Sequence, residues 1–363
     1  MQELQEYFDE IETKLKEAYE TANKARSLGY DPSEKVEVVL AKNMAERVVG
    51  LISTIAPQIS NTKIPDRLQE LEKQYGKLDW RVALTISLEV AQQKFCNFKD
   101  EREAMEVGIR VGLAYLSLGV VTSPLDGFTR LELKNTRDGK KYFCLYFSGP
   151  IRSSGTTVVC GSIAVADYIR QKMGYVPYDP TEAEIKRMIT ELIDYHERIT
   201  NLQYFPSEEE CDFMLRHLPL QINGDPSEDL QVSNYKDLPR IETNFLRNGP
   251  CLVLGEALTQ KAPKVWAQIS KWGKDFGLDN WNFLEDFIKL QKKVRAAGKV
   301  EKVEKEITPD YNYIKDLVAG RPILTHPLAV GGFRLRYGRS RTSGLASLSI
   351  HPATMLVLNN FIA

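Results

Sequence analysis

The sequence is poor in the residues that build secreted, zinc-binding or membrane proteins. Its 363 residues include five Cys, an odd number with no Cys-x-x-Cys pair, and four His without metal-ligand spacing. This argues against a disulfide framework and a zinc site, and it favours a reducing compartment. No apolar run is long enough to span a membrane, and the acidic, helical N-terminus is not a signal peptide. We therefore expect a cytoplasmic protein without membrane contact.

Catalytic patterns are absent as well. The chain contains no Asp-x-Asp, no Gly-x-Ser-x-Gly and no Gly-x-x-x-x-Gly-Lys-Ser/Thr. Nucleotidyl transfer requires carboxylates grouped around two metal ions, and the sequence shows no such group. We therefore expect no catalytic residue and no bound cofactor in this chain, and no activity from the chain alone.

Acidic residues are also absent after Asp316, where the stretch to the C-terminus holds five basic residues, all Arg. They are Arg321, Arg334, Arg336, Arg339 and Arg341. The rest of the chain holds the other 43 basic residues against all 49 acidic ones. Residues 333–337 alternate apolar and cationic, as in a strand with one cationic face, which suits contact with the phosphate backbone of DNA. The alternative is that these Arg pair with acids elsewhere in the fold.

Helical spacing dominates the first hundred residues. Apolar residues recur at this spacing in four segments, which predicts a helical N-terminal region over 1–98. The predicted helices cover 2–28, 43–55, 65–75 and 79–95.

The next region, 99–290, alternates helices with strands, so that we expect an α+β protein. A helix over 101–118 precedes a hairpin with strands 128–133 and 142–147, whose Asp138-Gly139 suits a tight turn. Helices at 157–173 and 181–203 and a strand at 218–222 follow, the second helix with a capping box of Thr181 and Glu184. This order is that of a type II KH-like domain, although no Gly-x-x-Gly links the two helices. A generic α/β layer is the alternative.

Residues 250–260 form an apolar run that leads into a helical stretch up to residue 290. The mixed-charge segment 291–309 is a predicted linker or solvated helix.

The loop between the hairpin and its following helix is the candidate anion site of this region. It carries Arg152, Ser153 and Ser154 between turn-forming Gly and Pro residues. Free N–H groups at a helix start favour an anion, and the guanidinium adds a bidentate phosphate donor. The alternative, which the loop taken alone favours, is an N-capped helix with Arg152 paired to a carboxylate.

Several segments of the chain resemble the large subunit of the archaeal D-family DNA polymerase, and they occur in the same order. The matching segments are 149–155, 242–247, 317–322, 331–344 and 351–355. In that family two Gly tend to follow the Ser-Ser pair, whereas here Gly155 is followed by Thr156.

The resemblance implies a function in DNA replication. It implies that the chain is the N-terminal part of a longer subunit whose assembly makes DNA on a primed template. It places the Mg²⁺-binding Asp residues of the polymerase core downstream of residue 363, with residues 310–363 as the incomplete beginning of that β-rich core. It also implies two partners besides DNA: the remaining C-terminal part of the large subunit, and a small subunit with 3′–5′ exonuclease activity.

A second hypothesis is a non-catalytic module. In it the helical N-terminal region self-associates or holds a partner protein, and contact with nucleic acid is incidental.

Overall fold

The structure is a computed structural model that describes residues 2–30, 41, 43–118 and 122–297. The five C-terminal Arg and the predicted start of a core at 310–363 lie outside the described residues. Among the described residues, no helix combines the length and the apolar content that crossing a membrane requires.

The N-terminal region is helical, as predicted. Its four helices lie close to the predicted positions, although two of them end three or four residues earlier than predicted. The helices are α1 (Gln2–Ser27), α2 (Met44–Ile52), α3 (Ile64–Tyr75) and α4 (Trp80–Ala91). Side chains cap α2 and α4, because Asn43 accepts from the N–H of Glu46 and Asp79 from that of Arg81.

The following region consists of seven helices around one small sheet. Its elements are α5 (Glu101–Leu116), β1 (Phe128–Asn135), β2 (Lys141–Phe147), α6 (Thr156–Lys172), α7 (Glu182–Arg198), α8 (Glu208–His217), β3 (Gln221–Asn223), α9 (Asn248–Cys251), α10 (Gln260–Phe276) and α11 (Phe283–Ala297). The predicted α+β class is confirmed. The structure adds α8 to the predicted element order, between α7 and β3.

The sheet has the order β1-β2-β3. β1 and β2 are antiparallel, with Leu131 opposite Leu145, and the predicted hairpin turn is confirmed. β3 runs parallel to β2, with Ile222 opposite Leu145. Parallel neighbours need a crossover connection, and α6, α7 and α8 provide it.

The two faces of the sheet differ. One face packs Phe128, Leu131 and Phe143 into the main hydrophobic core. The opposite face carries Tyr142 and Cys144, which form a small separate cluster with Tyr146. The main core contains residues of every helix from α2 to α11, and Cys251 is the contribution of α9. Helices α2 to α4 therefore share one core with the sheet.

Helix α7 is shorter than predicted. The prediction of a helix over 181–203 was wrong at its end, because α7 stops at Arg198. There the chain turns back and the N–H of Leu202 donates to Nδ1 of His196 at 2.9 Å. The predicted capping box at its start is confirmed, with Thr181 and Glu184 bonded reciprocally.

Two further boundaries differ from the prediction. The strand predicted at 218–222 covers only Gln221–Asn223. The segment predicted as a linker from residue 291 begins inside α11, where the Gln291 side chain is buried and donates to the Thr259 carbonyl at 2.9 Å. This contact continues the fold to the end of α11.

Candidate functional site

The predicted anion site lies on the segment that leaves β2, which we call the exit loop (residues 148–155). It forms one short 3₁₀ helix, Gly149–Ser154, and enters α6 at Thr156. Gly155 is the N-cap residue of α6 and has φ of +86° and ψ of 140°, a conformation that is open almost only to glycine. Glycine has no side chain that could accept a hydrogen bond, so that α6 begins without a side-chain cap.

Two π-helical segments pack against the exit loop. One is Ser123–Gly127, directly before β1, and the other is Leu252–Thr259, between α9 and α10. The first approaches so closely that a Cβ atom on Gly127 would lie 2.7 Å from the backbone N and Cα of Ile151. π-helical turns are rare and are frequent at functional sites. The exit loop is thus a rigid element that is fixed from both sides.

The hydroxyl groups of the exit loop form hydrogen bonds within the protein. Ser153 Oγ lies 2.6 Å from Ser123 Oγ, and Ser123 also donates to the Pro150 carbonyl at 3.0 Å. Ser154 Oγ donates to the Ile151 carbonyl at 3.1 Å. Ser153 itself is exposed, whereas Ser154 is half-buried. Binding of DNA by either residue stays a prediction.

Arg152 is paired with a buried carboxylate. Its Nε donates to Glu256 Oε2 at 3.0 Å and its Nη2 to Oε1 at 2.5 Å. Glu256 lies in the second π-helical segment and is 3% exposed, and the N–H of Gln203 donates to the same carboxylate at 2.8 Å. The Arg152 side chain is 31% exposed. Glu256 therefore holds the guanidinium in one orientation while solvent still reaches its outer edge.

Segment 242–247, another of the segments that carry the resemblance, contributes Arg247 to a polar cluster beneath the surface. Arg247 is 1% exposed, and its Nε and Nη2 donate to the Glu191 carboxylate at 2.9 and 2.5 Å. Arg187 approaches the same carboxylate to 3.4 Å from the other side, and Arg247 also donates to the Asn223 side chain on β3. We call these four residues the Arg247 cluster.

The pKa values of the two arginines of this cluster are shifted in opposite directions, although burial lowers both. Desolvation lowers the pKa of Arg187, and Glu191 compensates only in part. Desolvation also opposes the charge of Arg247, but the closer contact with Glu191 outweighs it and the pKa of Arg247 is raised. Arg247 is therefore firmly charged, and it connects α7 to the sheet.

The start of the same segment is bound to the outer face of the sheet. The Glu242 carboxylate accepts from Tyr146 Oη at 2.9 Å and from Asn223 Nδ2 at 3.2 Å, and it forms an ion pair with Lys134. Segment 242–247 therefore fastens the chain after β3 to both the sheet and α7. Its contacts are those of a structural element.

The carboxylate partner of Arg152 agrees with the alternative prediction for this loop, whereas the side-chain cap that it included is absent. The sequence did not identify Glu256 as that partner, although a signal was present. Glu256 is the only acid in the apolar stretch 250–260, and a lone carboxylate in such a stretch needs a cation or a donor when it is buried. Ser123 and Gly127 carry no comparable signal, because their importance depends on packing against a loop distant in sequence.

Within the described ranges, no three His, Cys, Asp or Glu side chains are grouped so that they could hold a metal ion. Glu256, the buried acid beside the exit loop, is instead paired with Arg152.

Known proteins resemble this chain along nearly its whole length. The family model described as DNA polymerase II large subunit DP2, N-terminal, matches residues 6–290, and the one described as its central domain matches residues 300–363. The DNA polymerase II large subunit of Nanoarchaeum equitans is 44% identical over 98% of this chain and 31% of its own length. That of Methanosarcina barkeri is 40% identical over 99% and 30%, and that of Pyrococcus horikoshii 37% identical over 99% and 26%.

The chain thus spans less than a third of the length of these curated relatives. Both family models match it in the order expected for the N-terminal part of a large subunit, which confirms the resemblance of the sequence segments. The chain belongs to the family of the large subunit of archaeal DNA polymerase II, DP2.

Proposed function

We propose that this chain contributes DNA contacts and subunit assembly to a replicative DNA-directed DNA polymerase. Family membership supports the proposal, since the relatives carry the name of a polymerase subunit. The observation that carries the DNA contact is the geometry of Arg152, which Glu256 orients at the entry to α6. A guanidinium that is held in place loses little freedom when it meets a phosphate.

Arg152 still has donors to offer in this arrangement. Glu256 occupies Nε and Nη2, and among the described residues Nη1 has no hydrogen-bond partner. The first turn of α6, which has no side-chain cap, begins four residues after Arg152 and favours an anion. Together with the hydroxyl groups of Ser153 and Ser154, these groups form our proposed contact with the DNA backbone.

The five C-terminal Arg supply the larger part of the proposed contact. They lie outside the described residues, and the argument for them is the acid-free sequence after Asp316. The proposed DNA-binding residues there are Arg321, Arg334, Arg336, Arg339 and Arg341.

The chemistry of the assembly belongs, in this proposal, to other polypeptide segments. Mg²⁺ supports nucleotidyl transfer in the remaining C-terminal part of the large subunit, and 3′–5′ exonuclease activity resides in a small partner subunit. The chain alone is expected to be inactive in primer extension.

We also infer a KH-like arrangement for residues 99–290. The order α5, β1, β2, α6, α7 and β3 supports it, with α8 as an addition. The proposed division continues with the linker 291–309 and the beginning of the core at 310–363, after the helical region 1–98.

DNA binding at several salt concentrations tests the proposed function. We expect the affinity of the chain for a primer–template to fall steeply with salt, because phosphate contacts release counterions. Arg334→Ala or Arg336→Ala should weaken binding to all sequences alike and reduce the salt slope by about one. Fluorescence anisotropy with labelled primer–template measures both quantities.

Arg216→Ala is the matched control, because it removes one positive charge from a surface residue that is already paired with Glu182 and Asp212. Equal affinities of the Arg334 and Arg336 variants and the parent chain would contradict the assignment of these residues.

Self-association through the helical N-terminal region is the second candidate function. Tyr7 and Ile11 on α1 are 57% and 44% exposed, which favours it. Sedimentation of the same samples distinguishes the two functions. A dimer that Ile11→Asp dissociates, together with no DNA affinity, would support the module and refute the DNA contact.

A further inference from the structure

A groove lies between α7 and α8, and none of the residues that line it is among those proposed to contact DNA. It has a volume of about 270 Å³. Its floor is formed by Leu192 and Cys211, both 1% exposed, and its walls by Ile189 and Ile193 of α7 and by Phe205. Ile189 and Ile193 are only half-buried, so that the groove presents apolar side chains to solvent.

The lip of the groove is fixed in position. Phe205 is 42% exposed, and its ring stacks on that of His196 with centroids 4.2 Å apart and an angle of 14°. His196 in turn accepts a hydrogen bond from the N–H of Leu202. An exposed aromatic ring that is held in this way offers contact area at little entropic cost, which is typical of binding surfaces.

The rim of the groove is acidic. Glu197 and Glu208 line it, and neither forms an ion pair within the part of the chain that the structure describes. Glu208 stands in the first turn of α8, where the helix dipole stabilises an acid. Glu197 stands in the last turn of α7, where the dipole disfavours one. The dipole of α7 therefore does not stabilise the Glu197 carboxylate, whereas a cation beside it would.

The volume indicates the kind of ligand. Sites for drug-sized molecules and cofactors usually enclose about 300–1,000 Å³, and this groove is smaller and open. It fits one or two large apolar side chains, as in the binding of an amphipathic helix to a groove. The acidic rim selects against a segment with flanking acids and favours one with flanking Lys or Arg.

We propose that this groove binds a basic amphipathic peptide segment of another protein. The segment places one or two large apolar side chains between Ile193 and Phe205, and Lys or Arg beside Glu197 and Glu208. The groove and its acidic rim carry this inference, which goes beyond the DNA contact and does not depend on it.

Titration of the whole chain with a fluorescent peptide tests the proposal. The probe is a peptide of about twelve residues with Leu at helical spacing and Lys at the other positions. We expect saturable binding that Ile193→Gln weakens about tenfold, because an apolar contact is lost. Glu197→Lys or Glu208→Lys should weaken it about tenfold as well, because an attraction becomes a repulsion.

Matched controls separate the groove from general effects. Glu209→Lys alters the same first turn of α8 and the net charge equally, but Glu209 does not line the groove; it should change the affinity less than about twofold. Ile55→Gln replaces an Ile that is 46% exposed at the end of α2 and should have no effect. Circular dichroism of each variant shows whether the fold is kept.

Three results would overturn the proposal. The first is the absence of saturable binding up to about 1 mM peptide. The second is equal binding of a control peptide in which Glu replaces each Lys. The third is a dimer of the chain that Ile193→Gln dissociates, since a second copy would then be the occupant of the groove.

Discussion

Two arginines of this chain form the same kind of ion pair in different surroundings. Arg152 contacts Glu256 and Arg247 contacts Glu191, each through Nε and Nη2 and each with a carboxylate that is nearly or fully buried. Arg152, however, is 31% exposed and Arg247 is 1% exposed. The first pair lies on the exit loop at the surface, and the second joins α7 to the sheet beneath it.

The difference separates a positioned side chain from a structural one. A fully buried pair costs desolvation of both charges, so that removing one partner strands the other. A pair at the surface leaves the cation accessible to an anion from outside. By this reasoning Arg247 serves the fold, whereas Arg152 is available for the proposed contact with DNA. The following predictions test the comparison, beginning with the largest effect.

Replacement of Arg247 should have the largest effect. Arg247→Met leaves Glu191 buried with Arg187 as its remaining cation, and we expect a loss of about 3–5 kcal/mol in the free energy of unfolding. Urea unfolding followed by circular dichroism measures this. Arg216→Met is the control, because Arg216 also pairs with two carboxylates but at the surface. It should change stability far less, and a comparable loss in the control would contradict the role of burial.

Replacement of Arg152 should cost less. Arg152→Met leaves Glu256 buried without its cation but still bound to the N–H of Gln203, so that we expect a loss of about 1–3 kcal/mol by the same measurement. A second change, Glu256→Gln, should restore part of this stability because it removes the unpaired charge. An equal loss of stability in Arg152→Met and Arg247→Met would contradict the distinction between the two arginines.

A third set of ion pairs, formed by Asp179 with Arg137 and Arg240, is partly exposed. Its contribution to stability depends on pH. Burial alone raises the pKa of Asp179, but hydrogen bonds from Arg137 and Arg240 outweigh it and lower the pKa to about 2. The unfolded value is about 4. Because the folded value is the lower one, the stabilisation is present above about pH 4 and is lost as the pH falls toward 2.

Asp179→Asn should therefore cost stability at pH 7 and progressively less below pH 4. We expect about 1 kcal/mol at pH 7, after allowance for solvent screening at a side chain that is 25% exposed. Urea unfolding at pH 7, 5 and 3.5 measures the difference from the parent chain. Asp229→Asn, at an exposed site, is the control for the loss of one acidic residue. A loss of stability in Asp179→Asn that grows toward low pH would contradict the predicted direction of the pH dependence.

Local signals predicted much of this fold. The apolar periodicity predicted α1 to α4, and the Asp138-Gly139 turn predicted the hairpin. The capping box at Thr181 predicted the start of α7. A signal of the same kind, Ser207 followed by Glu210, begins α8, a helix that was not predicted.

Long-range contacts account for what the sequence did not predict. The exit loop was identified from its Gly, Pro, Ser and Arg residues, but its two π-helical neighbours depend on packing between segments far apart in the chain. An Arg at position 152 can donate to a carboxylate or to a phosphate, and the sequence alone does not distinguish the two. Only the structure places Glu256 beside it.

The parallel pairing of β2 with β3 has a consequence for how the chain folds. The hairpin of β1 and β2 is local, so that we expect it to form early, whereas β3 pairs with β2 across the long segment 148–220, so that we expect it to join later. During that interval one edge of β2 offers unpaired backbone groups, and such an edge is a template for aggregation. A chaperone that shields newly made chains would protect this edge, and hydrogen exchange during refolding should show amide protection in β1 before it appears in β3.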